Sequence, residues 1–76
     1  MNYPIYRKGL WHSYKVLDEK LCVEVYNGEN SRIQKTISTL AYLPNIEECT
    51  EADFLAEYFE VRKKLEDICN IKFDLL

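Results

Sequence analysis

The chain has 76 residues, of which 47% are hydrophobic, and a formal net charge of −3. We expect a chain of this length to form one small domain over residues 1–76, with a thin core that hides only about 60% of the unfolded surface. The longest uninterrupted apolar run covers residues 40–43 and the N-terminus carries no apolar leader. We therefore expect a cytoplasmic protein without a membrane segment.

Three segments of the first half are predicted to be strands. Residues 3–7 predict an edge strand, where Pro4 is tolerated at the start. Residues 10–17 and 20–26 alternate with a period of two and are expected to pair as a hairpin. Residues 27–28, Asn-Gly, predict a tight turn, because both residue types tolerate positive φ. The side chains assigned to the core are Leu10, Tyr14, Val16, Leu21, Val23 and Val25, whereas Cys22, Glu24 and Tyr26 point the other way.

Residues 31–43 allow two interpretations. Ile33, Ile37 and Leu40 recur at helical spacing, which permits a helix. Residues 36–39 have poor helix propensity, however, and their branched side chains suit a pleated surface. We therefore predict a further strand, which bends near its middle and resumes until the proline that follows it, and we keep the helix as the alternative.

The last third of the chain is predicted to be one amphipathic helix over residues 51–70. Thr50 and Asp53 have the spacing of a capping box, so the helix should begin at Glu51. Asn70 is predicted to end it. The buried face is an apolar stripe with alternating steps of four and three, formed by Phe54, Tyr58, Val61, Leu65 and Ile68. The apolar residues of the tail are expected to dock against the domain: Ile71, Phe73, Leu75 and Leu76.

These elements predict an α+β fold, in which an antiparallel meander of three to four strands within residues 3–43 packs on one C-terminal helix. Ile33, Ile37 and Leu40 complete the predicted core. Because the core is thin and the helical stripe resembles a short coiled-coil seam, we predict a homodimer. The dimer would bury the apolar tail or the sheet face that carries Trp11.

Residue types that support catalysis or metal binding are sparse. His12 is the only histidine, and Ser13 beside it points to the opposite face of a strand. Cys22 could approach His12 across the hairpin, but no segment offers an oxyanion pocket. Cys22, Cys49 and Cys69 are odd in number and lack close spacing, which is typical of free thiols in a reducing compartment. No glycine-rich phosphate loop is present. We therefore expect no enzymatic activity, no metal and no cofactor.

Acidic residues are concentrated in the second half. From residue 47 onward there are nine acidic and four basic residues, against four acidic and six basic before it. One interpretation is a solvated helix face, whose first-turn acids complement the positive helix end. The other is a surface that meets a basic partner or imitates a phosphate backbone. The candidate acidic face consists of Glu47, Glu48, Glu51, Asp53, Glu57 and Glu60.

The sequence thus favours a small non-enzymatic module that binds another protein of unknown identity and regulates or inhibits it. The alternative is a nucleic-acid-binding module, because bases stack on aromatic rings and phosphates pair with neighbouring cations. Half-buried tyrosines of a small sheet explain the same residues without any ligand. The candidate nucleic-acid face consists of Tyr6, Arg7, Lys8, Trp11, Tyr14 and Lys15.

Overall fold

The computed structural model describes the backbone of residues 2–69 and the side chains of residues 2–67. The predicted burial of Ile68, the cap at Asn70 and the docking of the tail fall outside these side chains. In chain order the elements are β1 (Ile5–Lys8), β2 (His12–Val16), β3 (Leu21–Tyr26), β4 (Arg32–Ile37), a 3-10 helix (Ser38–Tyr42), β5 (Glu47–Glu48) and α1 (Glu51–Cys69).

The strands form one antiparallel sheet in the order β4-β3-β2-β1-β5. The predicted α+β meander on one C-terminal helix is therefore confirmed, with five strands rather than three or four. The additional strand is β5, whose Glu47 and Glu48 lie opposite Lys8 and Arg7 of β1. Two residues carry no periodicity, so the sequence offered only the opposite charges as a signal for this pairing. The strand predicted at the N-terminus is present as β1, but its predicted place at the edge of the sheet is wrong because β5 covers it; within residues 2–69 the edges are β4 and β5.

Each side of the sheet is covered by a different part of the chain. On the side that we call the helix side, Val23 and Val25 pack against Phe54, Tyr58 and Val61 of α1. On the other side, which we call the outer side, the 3-10 helix packs its Ala41 on a second buried cluster, formed by Tyr14, Val16 and Cys22. The thin core is thus divided into two layers.

The prediction that all core residues lie on one side of the sheet is wrong. The register pairs Val16 with Cys22 and Tyr14 with Glu24, and directly opposed residues share one side of an antiparallel sheet. Tyr14 and Val16 therefore lie on the opposite side from Val23. The turn between β2 and β3 sets this register. The Asp18 carboxylate accepts hydrogen bonds from the backbone N–H of both Lys20 and Leu21, which fixes a three-residue loop. Three other residues assigned to the core are exposed: Leu10 (86%), Leu21 (46%) and Ile37 (57%).

Residues 31–43 are a strand only in their first half. β4 ends at Ile37, and the chain then turns into the 3-10 helix instead of continuing as a strand. Buried Ser38 fixes this change of direction, because its backbone N–H donates to Lys20 O and its hydroxyl donates to Asp18 O. The turn carries Ala41 over the outer side, where the Arg7 guanidinium donates to Ala41 O at 2.7 Å.

The turn predicted at Asn27-Gly28 joins β3 to β4, but it is not the tight turn expected. It spans residues 27–31, and among the described residues only Asn45 has a positive φ, at 73°. The glycine leaves space instead: a Cβ at Gly28 would meet the outer end of the Tyr26 ring, which would have to shift. Glycine therefore allows close approach of the backbone to an aromatic side chain here.

The helix begins at Glu51, as predicted, and its capping box is formed in both directions. The Asp53 backbone N–H donates to Thr50 Oγ1 at 3.1 Å, and the Thr50 backbone N–H donates to Asp53 Oδ2 at 3.2 Å. Hydrogen bonding of its carboxylate to the backbone N–H and to the side chain of Thr50 lowers the pKa of Asp53 below its ordinary value. Of the predicted stripe, Phe54, Tyr58 and Val61 are fully buried and Leu65 is half-buried against the core.

Candidate functional site

The six residues of the candidate acidic face are mostly engaged within the chain. The Glu51 carboxylate accepts a hydrogen bond of 2.8 Å from the Tyr6 hydroxyl, and Asp53 caps the helix. The amide Nδ2 of Asn27 donates to Glu57 and Glu60, at 2.5 and 2.7 Å. Glu47 and Glu48 lie beside the two cations of β1. These contacts hold the helix and β5 to the sheet, and binding of a basic partner by this face stays a prediction.

The six residues of the candidate nucleic-acid face are not brought together. The register places Tyr6, Lys8 and Lys15 on the helix side, where Tyr6 packs on Phe54. Arg7 and Tyr14 lie on the outer side, and Trp11 stands 56% exposed between β1 and β2. Alternation along strands separates neighbours in sequence, which the grouping by composition did not take into account.

A buried carboxylate lies at the centre of the outer side. Glu24 is 3% exposed, and its oxygens accept hydrogen bonds from Gln34 Nε2 at 2.8 Å and from the Tyr14 hydroxyl at 3.3 Å. Arg32 lies 3.3 Å and His12 Nδ1 3.2 Å from the same carboxylate. We call these five residues the Glu24 cluster. The ring of Tyr26 contacts it from the side, tilted against the His12 ring and beneath the Arg32 guanidinium.

The charges of the Glu24 cluster balance one another. Burial alone raises the pKa of Glu24, but the Gln34 hydrogen bond, the Arg32 charge and His12 outweigh it, so the pKa lies below the ordinary value. Burial, with the Glu24 charge and hydrogen bond, raises the pKa of Tyr14 to about 12. The carboxylate is thus ionised and the phenol neutral at pH 7, each satisfied by the other and by the neighbouring donors.

Neither Ser13 nor Cys22 lies where the Glu24 cluster could activate it as a nucleophile. Ser13 lies on the helix side, paired with Val25. Cys22 shares the outer side with His12, but the Tyr14–Glu24 pair separates them. Burial and the Glu24 charge raise the pKa of Cys22 to about 11, so its thiol is protonated at pH 7. We therefore interpret the cluster as a structural network.

Among the described residues, no three His, Cys, Asp or Glu side chains are arranged to hold a metal ion. The thiol of Cys69 is outside the described side chains. No helix of the described chain is both long and apolar enough to cross a membrane.

Exposed apolar side chains gather at one end of the helix side. Leu21 and Ile37 face each other across β3 and β4, and Leu17 adjoins Leu21 through a backbone hydrogen bond of 3.0 Å. Their exposed fractions are 46%, 57% and 36%. We call these three residues the open corner. Large apolar side chains that are exposed together, rather than singly, are typical of interaction surfaces.

The path of α1 explains why the open corner is left uncovered. The Asn27 contacts hold one flank of the helix near the end of β3, and Leu21 begins β3 at the opposite end. Helical periodicity places Phe59, which is 53% exposed, on the flank of α1 opposite to the one that Asn27 contacts. The prediction that Leu21 and Ile37 belong to the core is wrong, because alternation identifies the side of a sheet but not how far a helix extends over it.

A separate cleft of about 430 Å³ opens beside the β3–β4 turn. Trp11 and Tyr26 supply its aromatic surface, Lys64 a cation and Glu29 an acid. Trp11 belongs to the predicted nucleic-acid face, whereas Lys64 does not, because it comes from a distant part of the chain.

The comparisons with known proteins give no relative for this fold. No protein-family model matches the chain, and no significant match is found among curated proteins or solved structures.

Proposed function

We propose that this protein is a small non-enzymatic module that binds another polypeptide, and that the open corner is the surface that it uses. The observation that carries the proposal is the exposure of Leu21 and Ile37, two large apolar side chains that lie directly opposite each other on neighbouring strands. Full burial of such a side chain from full exposure is worth about 1.5–3 kcal/mol, and about half of this remains to be gained because these side chains are already about half-buried. A partner that covers the open corner therefore obtains part of a micromolar affinity there, and its other contacts supply the rest.

The polar rim of the open corner suits protein recognition. Lys15 and Lys35 flank Val23 on the same side of the sheet, and neither ammonium is engaged in a salt bridge within the described residues. Apolar centres with a polar rim are the usual anatomy of protein interfaces. The acidic face is a weaker candidate for the same role, because four of its carboxylates already accept hydrogen bonds within the chain: Glu51, Asp53, Glu57 and Glu60.

A photo-crosslinking experiment in the source cells tests this proposal. A photoreactive phenylalanine analogue placed at Ile37 should capture one discrete protein, whereas the same analogue at Leu10, which is 86% exposed on another part of the surface, should not. The captured protein, once purified, should bind the wild-type chain directly. Equal capture from both positions, or no direct binding, would contradict the proposal.

Nucleic-acid binding is the second candidate, supported by the cleft in which Trp11, Tyr26 and Lys64 meet. Stacking on the two rings and pairing of a phosphate with the ammonium are the chemistry that single-strand binding needs. The acid Glu29 in the same cleft weakens the attraction for phosphate. Binding of labelled single strands at about 50 mM salt that is lost in both Trp11→Ala and Lys64→Ala would favour this candidate over the first.

The homodimer is a proposal of its own. A second copy is one polypeptide that could cover the open corner, and sedimentation velocity across a concentration series measures this directly. A chain that stays monomeric at high micromolar concentration would exclude the dimer without affecting the binding of a different protein.

A further inference from the structure

The free edge of β4 adjoins the open corner and can take a strand. β4 is the outermost strand of the sheet, and no described residue pairs with its outer side. It is six residues long, whereas β5 at the other edge has two. The outer backbone N–H and C=O groups of an edge strand are a template for an added strand.

The side chains of β4 define what an added strand must contain on the helix side. Ile33 is half-buried against the core beside Leu65, and Ile37 belongs to the open corner. Lys35 lies between them on the same side, because it pairs with Val23. A strand laid along β4 would place every second side chain next to one of these three residues and close to α1. The side chains next to Ile33 and Ile37 must be apolar to gain from the contact.

The charges of β4 define the position between the two apolar ones. The strand carries Lys35 on the helix side, Arg32 on the outer side and no acidic residue. Arg32 is 46% exposed at its side chain although it contacts Glu24, and Lys35 is exposed with no salt-bridge partner in the described chain. Pairing of β4 with β4 of a second copy would bring four cations together, which like-charge repulsion disfavours. Acidic side chains on the added strand are complementary instead.

We propose that the partner of this module is an extended segment whose helix-side residues, every second one along the chain, are in turn apolar, acidic and apolar, and that it binds by adding a strand to β4. The proposal rests on the proposed function and specifies its partner. The backbone hydrogen bonds of β4 supply affinity, and Ile33, Ile37 and Lys35 supply selectivity.

Titration of the 15N-labelled protein with synthetic peptides tests the mode of binding. The probe is an eight-residue peptide in which valine and glutamate alternate at every second position, with threonine between them; we call it the valine–glutamate peptide, and the valine–lysine peptide has lysine in place of glutamate. It should shift the β4 amides that face outward, about every second one along the strand. A twin peptide that is N-methylated at alternate residues keeps its side chains but cannot complete the ladder, and it should not bind. Equal binding of both peptides would overturn strand addition while leaving side-chain docking at the open corner intact.

A pair of charge reversals tests the selectivity. Lys35→Glu should weaken binding of the valine–glutamate peptide about threefold or more and improve binding of a valine–lysine peptide. Lys63→Glu, on the exposed face of α1, changes the net charge equally and should leave both affinities within about twofold. Equal effects of the two substitutions would show that only overall charge matters and would overturn the assignment of an acidic partner to β4.

Hydrogen exchange of the β4 amides without peptide identifies competing occupants. Outward amides that exchange rapidly at all protein concentrations support an edge open to a partner. Protection that grows with concentration would assign the edge to a second copy, and protection independent of concentration would assign it to another part of the same chain. Either pattern would overturn the proposal. A peptide that fails to bind, together with a discrete partner cross-linked at Ile37, would refute strand addition but not the proposed function.

Discussion

The side-chain oxygen of Asn27 accepts a hydrogen bond of 2.6 Å from the Lys64 ammonium. Its amide nitrogen donates to two carboxylates of the same helix, so one side chain from the β3–β4 turn contacts three side chains of α1. This contact sets the position of the helix across the sheet and, with it, the exposure of the open corner.

Removal of the Asn27 side chain should therefore destabilise the fold. We expect Asn27→Ala to lower the free energy of unfolding by about 1–2 kcal/mol, because three hydrogen bonds to charged groups are lost at a partly exposed site. Asn30→Ala in the same turn is exposed and should be neutral. Urea denaturation measures both variants, and equal stabilities would show that the Asn27 contacts do not hold the helix in place.

The capping box gives a second prediction. Thr50→Ala removes the acceptor for the Asp53 backbone N–H and should cost about 0.5–2 kcal/mol. Thr50→Ser keeps the hydroxyl and should retain most of the stability. Thermal unfolding followed by circular dichroism compares the two. A Thr50→Ser variant as unstable as Thr50→Ala would mean that the methyl group, rather than the cap, is responsible.

The Glu24 cluster predicts a dependence of stability on acid. The pKa of Glu24 in the folded protein lies below the ordinary value of 4.5. Its ionised form therefore stabilises the fold above pH 4.5, and this contribution is lost as the pH falls from there through the lower, folded pKa. Glu24→Gln should be less stable at pH 7 and lose less stability on acidification, whereas exposed Glu29→Gln should follow the wild type. Parallel acid profiles for all three proteins would contradict this account.

The two described cysteines should differ in reactivity. Cys22 is fully buried and its pKa is raised to about 11 by burial and by Glu24, whereas Cys49 is only half-buried. Iodoacetamide at pH 8 should therefore label Cys49 well before Cys22, because alkylation needs an accessible thiolate. Peptide mapping by mass spectrometry measures each site separately. Faster labelling at Cys22 would show that the 3-10 helix does not cover the outer side.

The successes and failures of the sequence analysis have a common physical basis. Local signals were sufficient where neighbours in the chain decide the outcome, as in the helix start at Glu51, its capping box and the alternation of Val23 and Val25. They were insufficient where a turn sets the register. The side chain of Asp18 fixes which residues of β2 oppose β3, and this placed Tyr14 and Val16 on the side opposite to the one predicted.

The candidate site could be predicted only in part, because it depends on contacts between distant segments. Nothing local to Asn27 indicates that it binds Glu57, Glu60 and Lys64, and nothing local to Leu21 indicates that α1 stops short of it. The acidic cluster was visible in the sequence. Its engagement with Tyr6 and Asn27 was not, because those partners lie at least 30 residues away.

The central claim is tested most directly by a binding measurement with purified proteins. The partner captured by cross-linking at Ile37 is titrated against the wild-type chain and against two matched variants of it. Ile37→Lys places a charge in the open corner and should weaken binding at least about tenfold, since burial of this side chain would be lost. Leu10→Lys makes the same change at an exposed site elsewhere and should bind as the wild type does. Wild-type affinity in Ile37→Lys, or an equal loss in both variants, would contradict the claim that the open corner is the binding surface.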